Sequence, residues 1–472
     1  MISRSGKIVR KRHRHSSADE IKEEEDIISK LPDALLTEIL SYLPEADANR
    51  TRILSKRWKD IWAFLPNLRL VMPFDCSSEE ANKFHDFVDQ IIALRGGMNI
   101  NRVSLSCSKN FDYNRVCDWL CTVVKCNVQE IELGFSAERF LVKFCWSLFK
   151  SCNTLVGLTL RGEFVLDVRQ VELRFPCLKK LNLVSTVYSG DQSLTNLISG
   201  CPVLEELFVR RQVIGCSDNM KTFKVSSLSL KRLKISFTLG VLGNYHVVID
   251  APIEYIYIGN ANSTYYTFTK PLSLVEAHMN TRRPINSNVL MNLNSAKILT
   301  LTNSTLMGLQ ELYAIQIPMF HNLVKFEIGV TYRFGWSLLP LFLGSMPNLE
   351  HITFLDGLVP FLCAQHAHTF NMLWNPPMYL PNCLRFKLKE IIIRNRQAIT
   401  QQEFPLISYL LRYSYHLEKL SIIAHNINPM ILWQLLRFPR GSDLILQEVK
   451  EGYVKRVDVF SYTTLELITR GA

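Results

Sequence analysis

Apolar residues in this chain follow two rhythms. The stretch KLPDALLTEILSYLP (30–44) places Leu31, Leu35, Leu36, Ile39, Leu40 and Leu43 at three- and four-residue steps, the spacing of one helical face. Pro32 suits a first helical turn, Asp33 complements its positive end and Pro44 stops it. A second such stretch, EADANRTRILSKRWKDIWAFLPNL, carries Ile53, Leu54, Trp58, Ile61, Trp62 and Leu65 and ends at Pro66. Together they predict a small helical hairpin or three-helix unit, with too little chain around it to build a large core alone.

Beyond a short bridge the rhythm changes. A six-residue phrase, apolar–x–x–apolar–x–apolar, begins at residues 100, 128, 155, 178, 204, 230, 253, 274, 296, 323, 349, 388 and 417. Leu178/Leu181/Leu183 and Ile253/Ile256/Ile258 are two of its copies. Apart from the step between Leu349 and Leu388, the copies recur at the 20–29-residue interval of leucine-rich repeats. Alternate residues of a strand face one side, so the phrase predicts a short strand whose leucines fill the interior of a solenoid. Segments 114–126, 141–152, 193–201, 337–346 and 404–414 have helical spacing and are expected to return behind the strands. Between about 240 and 300 that signal is poor, and more extended backs are expected. Segment 81–97 predicts a helix bridging the two regions. One repeat cannot cover its own apolar face, whereas a stack can. The expected fold is therefore an α/β solenoid, a horseshoe, preceded by an all-α module.

Composition narrows the function classes. At 472 residues the chain exceeds the usual span of one core. No apolar run reaches membrane-spanning length, and the basic start MISRSGKIVRKRHRH lacks the apolar core of a secretory signal. The twelve cysteines are scattered in apolar surroundings, as expected of thiols in a reducing compartment. Cys117, Cys121 and Cys126 lie at helical spacing without a C-x-x-C pair, which favours packing over a metal site. His366 and His368 near Cys363 form a weak metal pattern with no fourth ligand in the vicinity. No phosphate loop, H-E-x-x-H or G-x-S-x-G signature occurs, so neither an enzyme nor a cofactor is expected. The net charge of +11 permits an acidic partner. The dense basic run Arg10–Arg14 reads either as a nuclear import signal or anionic contact, or as a solvated tail.

The residues LPDALLTEILSYLPEADANRTRILSKRWKDIW resemble an F-box, the module that docks substrate receptors onto the Skp1-type adaptor of a cullin–RING ubiquitin ligase. GCPVLEELFV (200–209) is similar to the repeats of plant F-box/leucine-rich-repeat proteins. Residues 373–423, through Trp374, Pro377, Pro381, Cys383, Leu384, Leu410, Leu417, Glu418 and Leu420, resemble the FBD module that closes many of them. Asn49 and Arg52 are bulkier and more polar than the family's usual residues, and Arg394–Asn395–Arg396 replaces its common Tyr-x-Gly-like turn.

The resemblance implies five segments. These are a disordered charged tail (1–26), an F-box (27–72), a repeat solenoid (73–372), an FBD-like cap (373–450) and a C-terminal strand or tail (451–472). It implies a non-catalytic substrate-recognition subunit of an SCF-type ligase, located in nucleus or cytoplasm. The adaptor, and through it a cullin, would bind Leu31, Pro32, Leu35, Leu36, Ile39, Leu40, Leu43, Leu54, Trp58 and Trp62. A protein substrate of unknown identity would meet the outward x positions of the strands, with Phe208, Arg210, Arg232, Tyr255 and Tyr257 as first candidates. Lys180, Asn182, Glu206, Lys234, Lys325 and Glu327 share those positions. The alternatives are a ligase-independent scaffold on the same fold and, less favoured, a nucleic-acid binder using the basic tail.

Overall fold

The computed structural model describes residues 27–43, 45–108, 110–135, 142–143, 146–150, 152–162, 164–168, 173–211, 220–237, 245–259, 264–281, 287–310, 316–330, 336–358, 374–395, 398–399, 401–424, 426–427, 429–437, 443–450 and 453–460. The basic run, Pro44 and the Cys363–His366–His368 group lie outside them. The chain divides into two compact units, residues 1–65 and 66–472.

The first unit is helical. Its elements are α1 (Ile27–Lys30), α2 (Asp33–Ser41), α3 (Glu45–Arg50) and α4 (Lys56–Ala63), with a 3-10 turn at Thr51–Ile53. α2 packs on α4. Ser55 caps α4 by accepting the Trp58 amide, which satisfies one of the free donors at the helix start.

The second unit is built on one sheet of sixteen strands in sequence order. It begins at Asn67–Val71, a strand that pairs with Arg102–Cys107 and so belongs here rather than to the helical module. Every neighbouring pair is parallel except the last, Asp443–Lys450 with Tyr453–Phe460. The repeat phrase explains the register. Leu105, Leu133, Leu160, Leu183, Val209, Ile235, Ile258, Met279, Leu301, Ile328, Phe354, Ile393 and Ile422 face one another strand by strand, each aligned with the next. All three apolar positions of all thirteen copies are buried. A ladder of this kind is self-selecting, because a one-residue slip would turn every leucine to the wrong face.

The return segments are mixed. Helices Ser78–Arg95, Tyr113–Lys125, Gln192–Ser199, Leu339–Ser345 and Phe404–Tyr413 stand where helical periodicity placed them. Segment 141–152 does not follow that expectation. It forms a short strand, Val142–Lys143, and a 3-10 turn, Trp146–Phe149. Helical spacing there is real, but it is a weak prior that packing against neighbouring repeats overrides. In the region expected to be extended, Tyr245–Asp250 and Thr264–Phe268 pair in parallel and join Thr222–Ser226 in a second sheet of three strands. Strand pairing also runs on through the FBD-like segment, from Glu390–Arg394 to Lys419–Ala424 and then Asp443–Lys450, without leaving the ladder. Among the described residues no helix is long and apolar enough to cross a membrane.

Candidate functional site

The first unit carries an apolar ridge that its own fold leaves bare. On α2 the leucine-rich stripe splits into two rows. Leu36 and Leu40, four residues apart, are 0% and 1% exposed. Leu35, Ile39 and Leu43 form the adjacent row at 47%, 46% and 40% exposure. Beyond α2, Tyr42, Ile53 and Leu54 are also exposed. Leu31 and Trp58 are half-buried and Pro32 is exposed. Three residues expected on the docking face are therefore interior: Leu36, Leu40 and Trp62, the last only 2% exposed. The stripe was too wide to be one surface, because residues at i and i+1 point about 100° apart on a helix. One row builds the core and the other faces out.

A polar clip fixes the start of α2. The Arg57 guanidinium donates to the Asp33 carboxylate through Nε at 2.9 Å and approaches it through Nη2 at 2.7 Å. It also donates to the Leu31 carbonyl. The L-P-D start and the S-K-R-W segment are thus joined by side-chain contact, which periodicity alone does not reveal. Arg52 lies with its guanidinium carbon 4.6 Å from the Trp62 ring centroid. Burial lowers its pKa. The cation that departs from the family pattern therefore covers a tryptophan ring. The Asn49 side chain lies outside the described set.

The second candidate surface is the outward face of the sheet. Toward its two ends several charges are paired, although Arg394 at the C-terminal end is exposed without an ion-pair partner among the described residues. Arg102 lies 3.2 Å from Glu132, and Arg161 lies 3.0 Å from the same carboxylate. Lys325 meets Glu327 at 2.7 Å, and Glu390 is held between His351 at 3.2 Å and Lys419 at 2.8 Å. The middle is different. The Arg232 guanidinium carbon sits 4.3 Å from the Tyr255 ring centroid, and Lys234 Nζ sits 5.3 Å from it. Tyr257 stacks on His278, with centroids 4.7 Å apart and planes inclined by 16°. A Cβ on Gly259 would come within 2.6 Å of the Tyr257 ring, so the missing side chain makes room for that ring. Burial lowers the His278 pKa, against the opposing pull of Glu327. Phe208 is half-buried and pairs across the ladder with Lys234, while Arg210 is exposed.

The five first substrate candidates thus fall on three consecutive strands of one face, Glu206–Arg211, Arg232–Phe237 and Tyr255–Gly259. His278 was not among them. It occupies the x position of the Leu274/Ala277/Met279 copy, so the repeat register could have identified it. The cysteine group separates in character. Cys117 and Cys121 are partly exposed, while Cys126 is buried and donates to the Thr122 carbonyl at 3.3 Å. Trp374 packs edge-on against Tyr409, with centroids 5.0 Å apart. Asn395 is buried and donates to Glu403 at 2.9 Å, so the segment that replaces the usual turn is tied down by its own amide.

Comparison with known proteins gives the chain a family. The family model for the F-box domain matches residues 28–70. A second, described as the LRR repeats of FBD-associated F-box protein At5g56370, matches residues 116–260. F-box/LRR-repeat protein At4g14103 of Arabidopsis thaliana is 32% identical over 365 residues, covering 71% of this chain and 92% of its own. F-box/FBD/LRR-repeat protein At2g04230 from the same plant is 30% identical over 416 residues, covering 85% and 90%. F-box/LRR-repeat protein 13 is 29% identical over 463 residues, covering 92% and 97%. The chain belongs to the plant F-box/FBD/leucine-rich-repeat protein family.

Proposed function

We propose that this chain is the substrate-recognition subunit of an SCF-type ubiquitin ligase, holding a Skp1-type adaptor through its helical unit and a protein substrate through its strands. The observation that carries the reading is the bare row Leu35, Ile39 and Leu43 beside the buried row Leu36 and Leu40. A helix that enters a partner's groove presents anchors at such steps. Each anchor is already about half covered, so sealing the rest contributes about 1 kcal/mol per side chain before ordering costs. The chain makes and breaks no bond in this reading. It turns a bimolecular transfer into an effectively unimolecular one by holding substrate near the loaded enzyme. Residues 373–450 would serve as an FBD-like closing segment, supported by the Trp374–Tyr409 contact and the buried Cys383 and Leu384.

The test is adaptor capture by the purified full chain. Wild type retains a Skp1-type adaptor, and Ile39→Asp loses it by at least tenfold while the repeat unit melts unchanged. Equal capture by both proteins would overturn the docking assignment. Absence of adaptor with the wild type would favour the ligase-independent scaffold.

A further inference from the structure

We propose that the middle of the outward sheet face, across the strands Lys180–Val184, Glu206–Arg211, Arg232–Phe237 and Tyr255–Gly259, binds an acidic, aromatic-bearing segment of a partner protein. This inference rests on the receptor reading of the repeats and adds the chemical class of what they hold.

Charge complementarity carries it. The outward positions of these strands bear four cations, Lys180, Arg210, Arg232 and Lys234, and one carboxylate, Glu206. At both ends of the same face, basic side chains sit within ion-pair distance of carboxylates. Among the described residues none of these four cations has such a partner. Two of them instead converge on the Tyr255 ring. A ring face holds a cation in place without cancelling its charge. With Glu206 and, on the next strand beside Tyr255, Glu276 counted, the four cations still outnumber the carboxylates. Adjacent strands are about 4.8 Å apart, so four strands span about 15 Å, enough for several residues of an extended segment.

The aromatic element is equally local. Phe208, Tyr255 and Tyr257 are half-buried on this face, and His278 extends the Tyr257 stack by one strand. Aromatics and arginine are the residue types that most often dominate binding energy. Rings held by stacking and by cations lose little conformational freedom on binding. A segment with carboxylates for the cations and a ring for the Phe208–Tyr257 surface satisfies both halves of the site. A nucleic acid would share the charge and the stacking, and it is made a separate arm of the test.

The full-length chain is titrated with a fluorescein-labelled glutamate–tyrosine copolymer, a lysine–tyrosine copolymer and a labelled single-stranded oligonucleotide of equal charge. The glutamate–tyrosine probe is expected to bind, with affinity falling at least tenfold in the double variant Arg232→Glu/Lys234→Glu. Affinity should fall less than twofold in Arg161→Glu, which reverses a matched cation on the same face. The lysine–tyrosine probe should not bind. Similar affinity of wild type and double variant for the acidic probe overturns the proposal, as does tighter binding of the oligonucleotide through the same two residues. Adaptor capture is read on the same preparations. A wild-type chain that captures the adaptor but does not bind the acidic probe overturns the cargo-face proposal alone. Adaptor failure with the probe still bound marks failure of the receptor reading instead.

Discussion

Single residues decide how the two candidate surfaces behave. On α2 adjacent leucines have opposite duties, so substitutions one position apart should fail differently. Leu36→Asp places a charge at a site with no exposure and should unfold the helical unit, seen as loss of amide protection over residues 33–63. Ile39→Asp should leave that protection intact. Equal loss in both would mean that Ile39 is also interior. The Arg57 clip gives a milder expectation. Arg57→Met removes the contacts to Asp33 and Leu31 and should cost about 1 kcal/mol, since Asp33 is exposed and Arg57 only partly covered. Faster exchange confined to the start of α2 is the readout. On the sheet, His278 has its folded-state pKa lowered by burial. The unfolded chain therefore takes up the proton first. Stability from this group is present above about pH 6.5 and is lost as the pH falls below it. His278→Phe keeps a ring beside Tyr257 and cannot protonate, so it should melt with a smaller drop between pH 7.5 and pH 5 than wild type. An identical drop would exclude His278 as a contributor.

At the scale of elements, the strand phrase is strongly directive because three constraints coincide in it. Its apolar residues must face inward, its period must be two, and each strand must align with its neighbours. That is why copies as weak as Leu274/Ala277/Met279 were legible and lie buried in register. The backs are under no comparable constraint, and the described residues of 141–152 form a strand, Val142–Lys143, and a 3-10 turn, Trp146–Phe149. The helical unit was legible as a module, whereas the division of its stripe into inner and outer rows required the packing of α2 on α4. The aromatic and cationic surface was legible by position, while the stack of Tyr257 on His278 depends on side-chain conformation that sequence does not specify. The same asymmetry predicts mutational cost. Ile256→Ala removes a fully buried side chain from the ladder and should cost about 2–5 kcal/mol in chemical denaturation. Arg232→Ala, on the exposed face one strand away, should stay within about 0.5 kcal/mol. Comparable costs would show that the two faces are not energetically distinct.

For the whole repeat unit the governing problem is its ends. A parallel stack saturates the backbone of every interior strand and leaves edge strands with unpaired groups that can recruit another chain. The C-terminal end is resolved by a change of direction. After Asp443–Lys450 comes Tyr453–Phe460, which forms the single antiparallel pairing of the main sheet among the described residues. The sequence of that strand, YVKRVDVF, interrupts its apolar residues with Lys455, Arg456 and Asp458, as suits a strand that has no second neighbour among the described residues. Ending the chain at residue 440 would remove both strands and leave Lys419–Ala424, KLSIIA, as the edge. That segment is short, apolar and rich in β-branched residues, the composition of an adhesive edge. The shortened protein should therefore form oligomers that grow with concentration, measured by light scattering behind a sizing column, while the full chain keeps one mass. The inward ladder of the remaining strands would be intact, so loss of solubility should precede loss of strand signal in circular dichroism. A shortened chain that stays at a single mass across the same range would show that the hairpin does not protect this end, and that the edge strand is guarded by something other than pairing.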